Sequence, residues 1–587
     1  MSEARLLSPV VDPVWQRTDP AELATRAWAK SYQEGVPQHI DYPKVPLHGL
    51  LLEAARTHPD VAATSFFGAR LTYRALAEQA GRLATGLAAL GVRKGDRVAI
   101  MTANCPQAVI AYYGVMMAGG VVVEFNPMYV ERELEFQLRD SGARVMIVLN
   151  LVYPRVAKVK DVTPLEHVIV TGLQDGMAFP LNVLYPVKAK KDKQWVEVKP
   201  APGVHLWPSF LRMYPNNPPK VDIDPIHDVA LFQYTGGTTG TPKGAMLTHY
   251  NMVVNAIQVA KWTPRSKEGT ERVMGALPLF HVYGMTCVLN MATYLAATQI
   301  LVPRFVIDDV LKTINKEKPT LFPGAPTMYV AVNNHPKVAD YDLKSIQTCI
   351  SGSAPLPVEV QTTFEKITGG RLVEGYGLTE ASPVTHCNPI EGRNKIGTIG
   401  VPFPDTDCAI FDLETGEKTL GPGEVGELAV RGPQVMLGYW NRPEENAKVF
   451  KNGWLSTGDI AKMDEDGYFT IVDRKKDMII AGGYNIYPRE VEEVLYTHPK
   501  IQEAAVVGIP DEYRGETVKA YVVVKAGQQL TAEEVIEFCR QNMARFKAPR
   551  MVEFRGSLPK TIVGKVLRRI LLEEELKKRA ADGSPRT

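Results

Sequence analysis

The residues best suited to chemistry in this chain begin with a loop rich in glycine and threonine. Tyr234–Gly244 has the sequence YTGGTTGTPKG and follows an apolar run, so we expect it at the carboxyl end of a strand. Glycines let backbone N–H groups turn toward an anion, threonine hydroxyls add donors, and Lys243 adds a cation. The loop therefore predicts a polyphosphate site, with a plain turn as the alternative. It is not a Walker A loop, because Pro242 and Gly244 flank the lysine.

Five further segments that could carry chemistry follow the loop along the chain. They are Glu374–Glu380 (EGYGLTE), Asn452–Asp459 (NGWLSTGD), Val472–Asp477 (VDRKKD), Gly482–Pro488 (GGYNIYP) and Pro559–Lys565 (PKTIVGK). They combine carboxylates, hydroxyls, paired glycines and a lysine in a flexible loop. Taken alone, a lysine such as Lys565 beside other basic residues would be part of a solvated face.

The elements that must position these segments follow an alternating pattern in the first part of the chain. Predicted strands are Arg97–Met101, Gly120–Glu124 and Arg144–Leu149, and predicted helices are Gln107–Met117 and Val130–Ser141, the latter ended by Gly142. Strand, helix and strand at this spacing imply parallel crossovers in a layered α/β sheet. The pattern resumes at Val229–Gln233 and Thr320–Phe322.

The pattern changes after about residue 395, where turns separate short strands and predict an antiparallel or barrel-like β subdomain. From about residue 477 a small α+β module is predicted. Its elements are helix Pro488–Leu495, strands Glu503–Gly508 and Val518–Val524, helix Ala532–Gln541 and strand Met551–Phe554. We therefore divide the chain into an N-terminal extension (1–44), a large domain (45–475) and a small C-terminal domain (476–587).

Composition narrows the class of protein. The 587 residues include 67 Lys and Arg against 65 Asp and Glu, a net charge of +2, which gives no support for nucleic-acid binding. Six scattered cysteines without a CxxC pair predict reduced, buried thiols in a cytoplasmic protein. Met1–Pro20 lacks the apolar core of a secretory signal.

One apolar stretch, Met177–Val187, precedes Lys188, Lys190, Lys191 and Lys193. It predicts a structured surface insertion with solvated lysines. The alternative is peripheral contact with an anionic bilayer, at the inner face of the membrane.

The loop and the five later segments together resemble the adenylate-forming superfamily of acyl-CoA synthetases, luciferases and peptide-synthetase adenylation domains. The resemblance extends over about residues 45–575. It implies that a carboxylate attacks the α-phosphorus of ATP, that pyrophosphate leaves, and that a thiol then displaces AMP. Asn452–Lys476 and Val435–Trp440 are similar to bacterial long-chain fatty acyl-CoA synthetases. This implies a long-chain fatty acid–CoA ligase with ATP, fatty acid and CoA as substrates.

The resemblance also assigns roles to residues around the nucleotide. Contacts with ATP or AMP are implied for Thr235, Gly236, Gly237, Thr238, Thr239, Gly240, Lys243, Gly352, Ser353, Ala354, Glu374, Gly375, Tyr376, Gly377, Thr379, Asp459, Arg474 and Lys565. Tyr376 would stack on adenine, with a core aromatic as the alternative, and Asp459 and Arg474 would bind the ribose. Glu380 would hold the Mg2+ that accompanies ATP, since one carboxylate plus phosphate oxygens suits this ion.

Catalytic roles are implied for Lys565, Thr235, Glu380 and His281. Lys565 would bridge the carboxylate and the α-phosphate, and Lys476 would be the hinge about which the small domain rotates. CoA would pass Gly482, Gly483 and Tyr484, and the acyl pocket would be lined by His281, Gly284 and Gly352. For His281, a buried structural role is the alternative.

Several alternatives remain open at this level. An amino-acid substrate is disfavoured because His281 follows Phe280 and Val282–Cys287 contains no carboxylate for an ammonium group. Medium-chain or aromatic acids, and acyl loading of a carrier protein, stay as alternatives, as does a non-catalytic relative. Some relatives dimerise through the large domain, so a homodimer is also open.

Overall fold

The computed structural model describes residues 18–235, 242–481, 484–511, 514–561 and 564–581. The chain divides into two compact units. The larger comprises Met1–Asp407 and Arg431–Leu455, and the smaller comprises Cys408–Val430 and Ser456–Thr587. The hinge boundary predicted at residues 475–476 stays a prediction.

The α-helices are numbered in chain order. They are α1 (Pro20–Leu23), α2 (Gly49–Thr57), α3 (Tyr73–Ala89), α4 (Pro106–Met117), α5 (Glu131–Ser141), α6 (Tyr153–Lys160), α7 (Leu181–Lys191), α8 (Trp207–Met213), α9 (His249–Trp262), α10 (Val282–Gly284), α11 (Met291–Tyr294), α12 (Ile307–Glu317), α13 (Pro326–Asn333), α14 (Val358–Thr368), α15 (Pro443–Val449), α16 (Pro488–Tyr496), α17 (Ala532–Asn542) and α18 (Arg568–Ala581). Shorter turns of 3-10 helix are Ala27–Ser31, Leu173–Gly176, Val338–Asp340 and Thr379–Ala381, and Met285–Asn290 is π-helical.

The strands are numbered in the same way. They are β1 (Ala62–Phe66), β2 (Ala69–Thr72), β3 (Arg97–Met101), β4 (Val121–Glu124), β5 (Val145–Leu149), β6 (His167–Thr171), β7 (Val204–Leu206), β8 (Val229–Thr235), β9 (Lys243–Thr248), β10 (Arg272–Gly275), β11 (Thr298–Leu301), β12 (Thr348–Ser351), β13 (Arg371–Gly377), β14 (Val384–Cys387), β15 (Val401–Pro402), β16 (Asp407–Phe411), β17 (Gly426–Arg431), β18 (Gly438–Tyr439), β19 (Phe450–Lys451), β20 (Trp454–Met463), β21 (Phe469–Arg474), β22 (Ile479–Ala481), β23 (Tyr484–Ile486), β24 (Ile501–Asp511), β25 (Gly515–Val524) and β26 (Met551–Phe554).

The main sheet of the larger unit has eight strands in the order β18-β9-β8-β4-β3-β5-β6-β7. Strands β3 to β8 run parallel, whereas β9 and β18 are antiparallel to their neighbours. Continuous apolar runs such as Val121–Val123 are buried, as expected for strands covered by helices on both faces. Amphipathic α5 ends at Gly142, whose φ of 67° lies in the left-handed region that glycine tolerates. The predicted α/β order over residues 97–149 is confirmed.

Two four-stranded sheets complete the larger unit, in the orders β10-β11-β1-β2 and β12-β13-β14-β15. Thr320–Phe322, predicted to resume the strand pattern, provides only parallel bridges from Leu321 to Val273 and to Thr348. These bridges place Leu321 between the edges of the two sheets.

In the smaller unit, β16, β17 and β20 form one sheet and β21 pairs with β20. The short strands predicted after residue 395 are thus confirmed. The second sheet has the order β23-β22-β25-β24, with β26 beside β25. Alternate residues of β24 face two cores: Ala504 and Val506 pack in one, and Ala505 and Val507 in the other. This period of two is the expected pattern for a sheet covered on both faces.

Candidate active site

The glycine-threonine loop connects the hairpin strands β8 and β9. Thr235 and Lys243 are register partners at the open end of this hairpin, and both are half-buried. Five predicted contact residues, Gly236, Gly237, Thr238, Thr239 and Gly240, lie outside the described residues. The strand predicted to precede the loop is confirmed, so both ends of the loop are held by a sheet.

Beside this hairpin, two side chains of opposite charge, Lys243 and Glu380, both contact Tyr439. The Tyr439 hydroxyl donates to Oε1 of Glu380 at 2.6 Å. Its ring centre lies 5.3 Å from Nζ of Lys243, which forms an ion pair with Glu445. Burial, and then the Glu380 carboxylate, raise the pKa of Tyr439 far above its usual value, so it remains a donor. The group can present a cation and an oriented carboxylate to a phosphate and its metal.

Tyr439 and Glu445 were not among the predicted site residues. Tyr439 lies in β18, which pairs with Ala245 of β9, and Glu445 lies in α15. About 200 residues separate each of them from Lys243. The pairing of β18 with β9 brings Tyr439 beside Lys243, and α15, which follows β18, carries Glu445. From the sequence, Val435–Trp440 carries only a family resemblance and no signal that would place Tyr439 beside Lys243.

The first half of the predicted adenine segment forms the end of β13, and the rest leads into a 3-10 turn. Tyr376 is half-exposed and packs edge-on against His386, with ring centres 5.8 Å apart. Thr379 is half-buried in a 3-10 turn, two residues beyond the exposed Gly377. A Cβ at Gly377 would lie 2.1 Å from the Pro383 carbonyl oxygen, so only glycine fits there.

Glu374 and Gly375 have evident structural contacts within the same strand. Glu374 is 7% exposed, and its Oε2 accepts a hydrogen bond from the Leu356 N–H at 3.1 Å. A Cβ at Gly375 would lie 2.9 Å from a methyl carbon of Ile350. The carboxylate of Glu374 therefore holds the segment after β12. Nucleotide contact by these residues stays a prediction.

That segment contains Gly352, Ser353 and Ala354. Ser353 has a φ of 73°, an unusual conformation for a residue with a side chain, and such strain is often found at functional sites. Ser353 and Ala354 are half-buried, whereas Gly352 is buried against Tyr283. A Cβ at Gly352 would lie 3.1 Å from the Tyr283 ring.

The predicted acyl residues lie around the short helix α10. His281 is its N-cap and is half-buried, and its Nδ1 accepts from the Tyr283 N–H at 3.3 Å. Gly284 is required by packing, because a Cβ there would lie 2.3 Å from the Pro278 carbonyl oxygen. The Tyr283 hydroxyl donates to the Ile350 carbonyl at 2.7 Å, which places its ring beside Gly352. Of the three predicted acyl residues, Gly352 therefore lies against the Tyr283 ring, while His281 and Gly284 flank Tyr283 at the short helix α10.

In the smaller unit, the two predicted ribose residues are direct partners. Asp459 on β20 and Arg474 on β21 are opposite each other in register, and Nε of Arg474 lies 2.7 Å from Oδ1 of Asp459. Asp459 is 2% exposed, so its charge needs this partner. The pair presents a fixed carboxylate that can accept hydrogen bonds from hydroxyl groups.

Lys565 shares its electrostatic surroundings with that pair. Lys565 is exposed as a residue, and partial loss of hydration lowers the pKa of its ammonium group to about 8. Arg474 and Lys476 lower it further, whereas Asp459 and Asp477 oppose them. Burial also lowers the pKa of Lys476, the predicted hinge. The structure therefore brings Lys565, Asp459 and Arg474 together within one unit.

Among the predicted CoA residues, Gly482 and Gly483 lie outside the described residues. Tyr484 is 57% exposed, and its ring is stacked on Phe546 with centres 4.7 Å apart. An exposed, supported aromatic ring offers an apolar surface to a ligand, and its contact with CoA stays a prediction.

Three features agree with the predicted nucleotide-dependent enzyme. The larger unit is a layered α/β structure with the glycine-threonine loop between paired strands, and the smaller unit holds the Asp459–Arg474 pair and a lysine of lowered pKa. Two family models match the chain: AMP-binding enzyme over residues 51–440, and AMP-binding enzyme C-terminal domain over residues 490–565. The chain belongs to the AMP-binding enzyme family. The predicted superfamily and fold class are confirmed.

Individual relatives agree with this assignment. A long-chain-fatty-acid–CoA ligase of Bacillus subtilis (strain 168) is 52% identical over 551 residues, covering 94% of this chain and 98% of the relative. The enzyme of the same name from Escherichia coli O157:H7 is 40% identical, covering 94% and 98%. The crystal structure of the anthranilate CoA ligase AuaEII with anthranoyl-AMP matches with a TM-score of 0.80 at 28% identity, covering 92% of this chain and 99% of that one. These relatives confirm the prediction of an AMP-forming acid–thiol ligase.

Proposed function

We propose that this chain uses ATP to activate a long-chain fatty acid as an acyl-adenylate and then transfers the acyl group to CoA. The observation that carries this proposal is the 52% identity to a long-chain-fatty-acid–CoA ligase across 94% of the chain. ATP, fatty acid and CoA are then the substrates.

In the first step, a carboxylate oxygen bonds to the α-phosphorus, and the bond from phosphorus to the bridging oxygen of pyrophosphate breaks. Both reactants are anions, so catalysis requires fixed positive charge and hydrogen-bond donors. Lys565 supplies the cation shared by the carboxylate and the α-phosphate, and Thr379 adds a hydroxyl. Asp459 holds the ribose while Arg474 fixes the orientation of that carboxylate, a role supported by their 2.7 Å contact.

Mg2+ would be held with ATP by Glu380. Its carboxylate is oriented at Oε1 by Tyr439, which leaves Oε2 for a cation, and a single carboxylate suits an ion that retains waters and phosphate oxygens. No cluster of three or more His, Cys, Asp or Glu side chains suited to a metal occurs in the described part of the chain. The ion would neutralise the charge of the phosphates. Lys243, with the loop amides, would hold the β- and γ-phosphates.

In the second step, the CoA sulfur bonds to the acyl carbon and AMP leaves. We propose rotation about Lys476 between the two steps, which exchanges Lys565 for the Gly482–Gly483 segment at the reacting atoms. Tyr484 would then contact the pantetheine arm. Its 57% exposure supports a ligand-binding role.

An aromatic acid is a second candidate substrate, and one observation favours it. The Tyr283 ring fills the space beside Gly352, where an acyl chain would pass. A long chain therefore requires this ring to move, whereas a short aromatic acid does not. AuaEII, one of the matching structures, is an anthranilate CoA ligase.

A panel of acids in the pyrophosphate–ATP exchange assay tests both candidates. We expect fast exchange with palmitate, slower exchange with octanoate and little with coumarate. Exchange with coumarate but not palmitate would refute the long-chain proposal. Tyr283→Ala should increase exchange with palmitate relative to coumarate, because it opens the space beside Gly352. Tyr329→Phe, a change to another buried tyrosine, is the control.

We also propose a cytoplasmic location, supported by six free, buried cysteines that need no oxidising compartment. Within the described residues, no helix is both long and apolar enough to cross a membrane. A homodimer is proposed from the resemblance alone, and light scattering of the purified chain would test it.

A further inference from the structure

Helix α7 exposes an apolar face on the larger unit. Phe179, just before the helix, is 82% exposed, and Val183, Leu184 and Val187 are 58%, 56% and 67% exposed. Ala189, on the opposite side of the helix, is only 4% exposed. Contiguous exposed apolar side chains on two successive turns are unfavourable in water. They therefore indicate a surface that is covered by something else.

The C-terminal turn of the same helix is basic. Lys188, Lys190 and Lys191 follow Val187 in the helix and are exposed. Between residues 177 and 199 the chain has five lysines against two carboxylates, Asp192 and Glu197. Glu197 lies 3.9 Å from Lys190, so it neutralises little of this charge. We call Phe179, Val183, Leu184, Val187 and these three helical lysines the α7 surface.

The α7 surface lies at a particular edge of the main sheet. Strands β4, β5 and β6 are parallel, so the segments that follow them emerge at one common edge. The segment after β6 leads into α7, and Met128 after β4 and Leu151 after β5 are 70% and 48% exposed. Asn150 beside Leu151 donates to the Val196 carbonyl at 3.0 Å, which ties the β5 end to the segment after α7.

Strand β8 is parallel to β4, so the glycine-threonine loop begins at this same edge. In parallel α/β sheets, ligands bind at the carboxyl ends of the strands. The segments after β4, β5 and β6 thus expose apolar residues at one edge of the main sheet. The end of β8, which leads into the predicted phosphate loop, lies at the same edge.

We propose that the α7 surface docks on an anionic lipid bilayer, with its apolar side chains at the boundary of the acyl chains and its lysines at the lipid phosphates. The charge decides this occupant, because a cluster of lysines beside exposed apolar residues matches the layered chemistry of an anionic bilayer surface. The benefit to the enzyme rests on the proposed function, since long-chain fatty acids partition into bilayers. Docking would concentrate that substrate beside the sheet edge at which the loop begins.

Flotation of the purified full chain with vesicles tests the docking. We would compare phosphatidylcholine vesicles with vesicles that contain phosphatidylglycerol. Two double variants alter the surface: Lys188→Gln with Lys191→Gln, and Leu184→Gln with Val187→Gln. The charge-matched control is Lys312→Gln with Lys316→Gln on α12, where both lysines are exposed. The apolar control is Leu52→Gln with Val358→Gln, at residues that are 44% and 52% exposed.

The wild-type chain should float with the anionic vesicles and weakly with the neutral ones. Loss of two lysines should weaken anionic-vesicle partitioning roughly 30-fold, while the controls float as the wild-type chain does. The apolar variant should weaken partitioning roughly 10-fold at low salt and at high salt alike. Pyrophosphate exchange with octanoate in the absence of vesicles should be unchanged in all four variants.

Three results would overturn the proposal. The first is no flotation of the wild-type chain with anionic vesicles, and the second is equal flotation of the α7 variants and the wild-type chain. The third is a dimeric mass of the wild-type chain, measured by light scattering, that falls to the monomer mass in the α7 variants. A second copy of the chain would then cover this face. Flotation without fatty-acid exchange would refute the proposed function and leave the docking intact.

Discussion

Raising the pH should stop adenylation by neutralising one lysine, Lys565. Its pKa is lowered to about 8 from an ordinary value of 10.5. The ammonium form then falls from about nine-tenths at pH 7 to about one-tenth at pH 9, whereas an ordinary lysine would remain almost fully charged. Because we propose that the ammonium form of Lys565 neutralises the two reacting anions, we expect activity to follow this fraction.

The assay is the kcat/KM of pyrophosphate–ATP exchange between pH 6.5 and 10, which reports groups of the free enzyme. We expect a fall with a midpoint near pH 8. The midpoint in kcat should lie higher, because bound phosphates stabilise the ammonium form. Exchange reports only the first half-reaction, so effects on CoA transfer do not enter.

Two neighbouring charges supply the decisive comparison. Lys476 lowers the pKa of Lys565 and Asp477 raises it. Lys476→Gln should therefore move the midpoint up by about half a pH unit, and Asp477→Asn should move it down by a similar amount. A midpoint above pH 10 in the wild-type enzyme, or shifts of the same sign in the two variants, would refute the reasoning. Melting temperatures serve as the control, because Asp477 also contacts Arg568 at 3.0 Å.

Two further predictions concern the larger unit. Tyr439→Phe removes the hydroxyl that orients Glu380 at 2.6 Å, so apparent Mg2+ affinity in the exchange assay should weaken about 10-fold; an unchanged Mg2+ titration would contradict this role. Burial raises the pKa of Glu124 well above its usual value. Above about pH 4.3 this carboxyl ionises only in the unfolded state, so the stability of the wild-type chain falls as pH rises. The melting temperature of Glu124→Gln, measured relative to that of the wild-type chain, should therefore increase by about 2–4 °C from pH 5 to pH 8. The same change of melting temperature with pH in the variant and in the wild-type chain would contradict this prediction.

Part of the fold could be predicted because the local signals agree with one another. The apolar run Val121–Val123 and the amphipathic α5, ended by Gly142, require only neighbouring residues to be recognised. Thr320–Phe322 carried the same strand signal, but only Leu321 forms bridges. Whether a short apolar run becomes a strand depends on the partner edges available to it, and these edges come from distant parts of the chain.

The candidate site also has a part that could be predicted from the sequence and a part that could not. The residue types in Tyr234–Gly244 were sufficient to predict a polyphosphate site, since loops that bind phosphate depend on local glycines and hydroxyls. The further step to ATP chemistry came from the family that this loop resembles together with segments such as Glu374–Glu380 and Pro559–Lys565. Neither the Tyr439 hydrogen bond to Glu380 nor the ring of Tyr283 beside Gly352 could be predicted, because each joins residues about 60 positions or more apart.

The sequence by itself, through its motifs and the family they resemble, determined the class of chemistry and the α/β order, and it predicted the acidic, basic and glycine residues of the site. Only the tertiary structure decided which of them share an environment. Strand pairing puts Asp459 opposite Arg474, and the packing around Lys565 lowers its pKa to about 8. Hydration and charge–charge interactions depend on distance in space, and separation along the chain does not specify that distance.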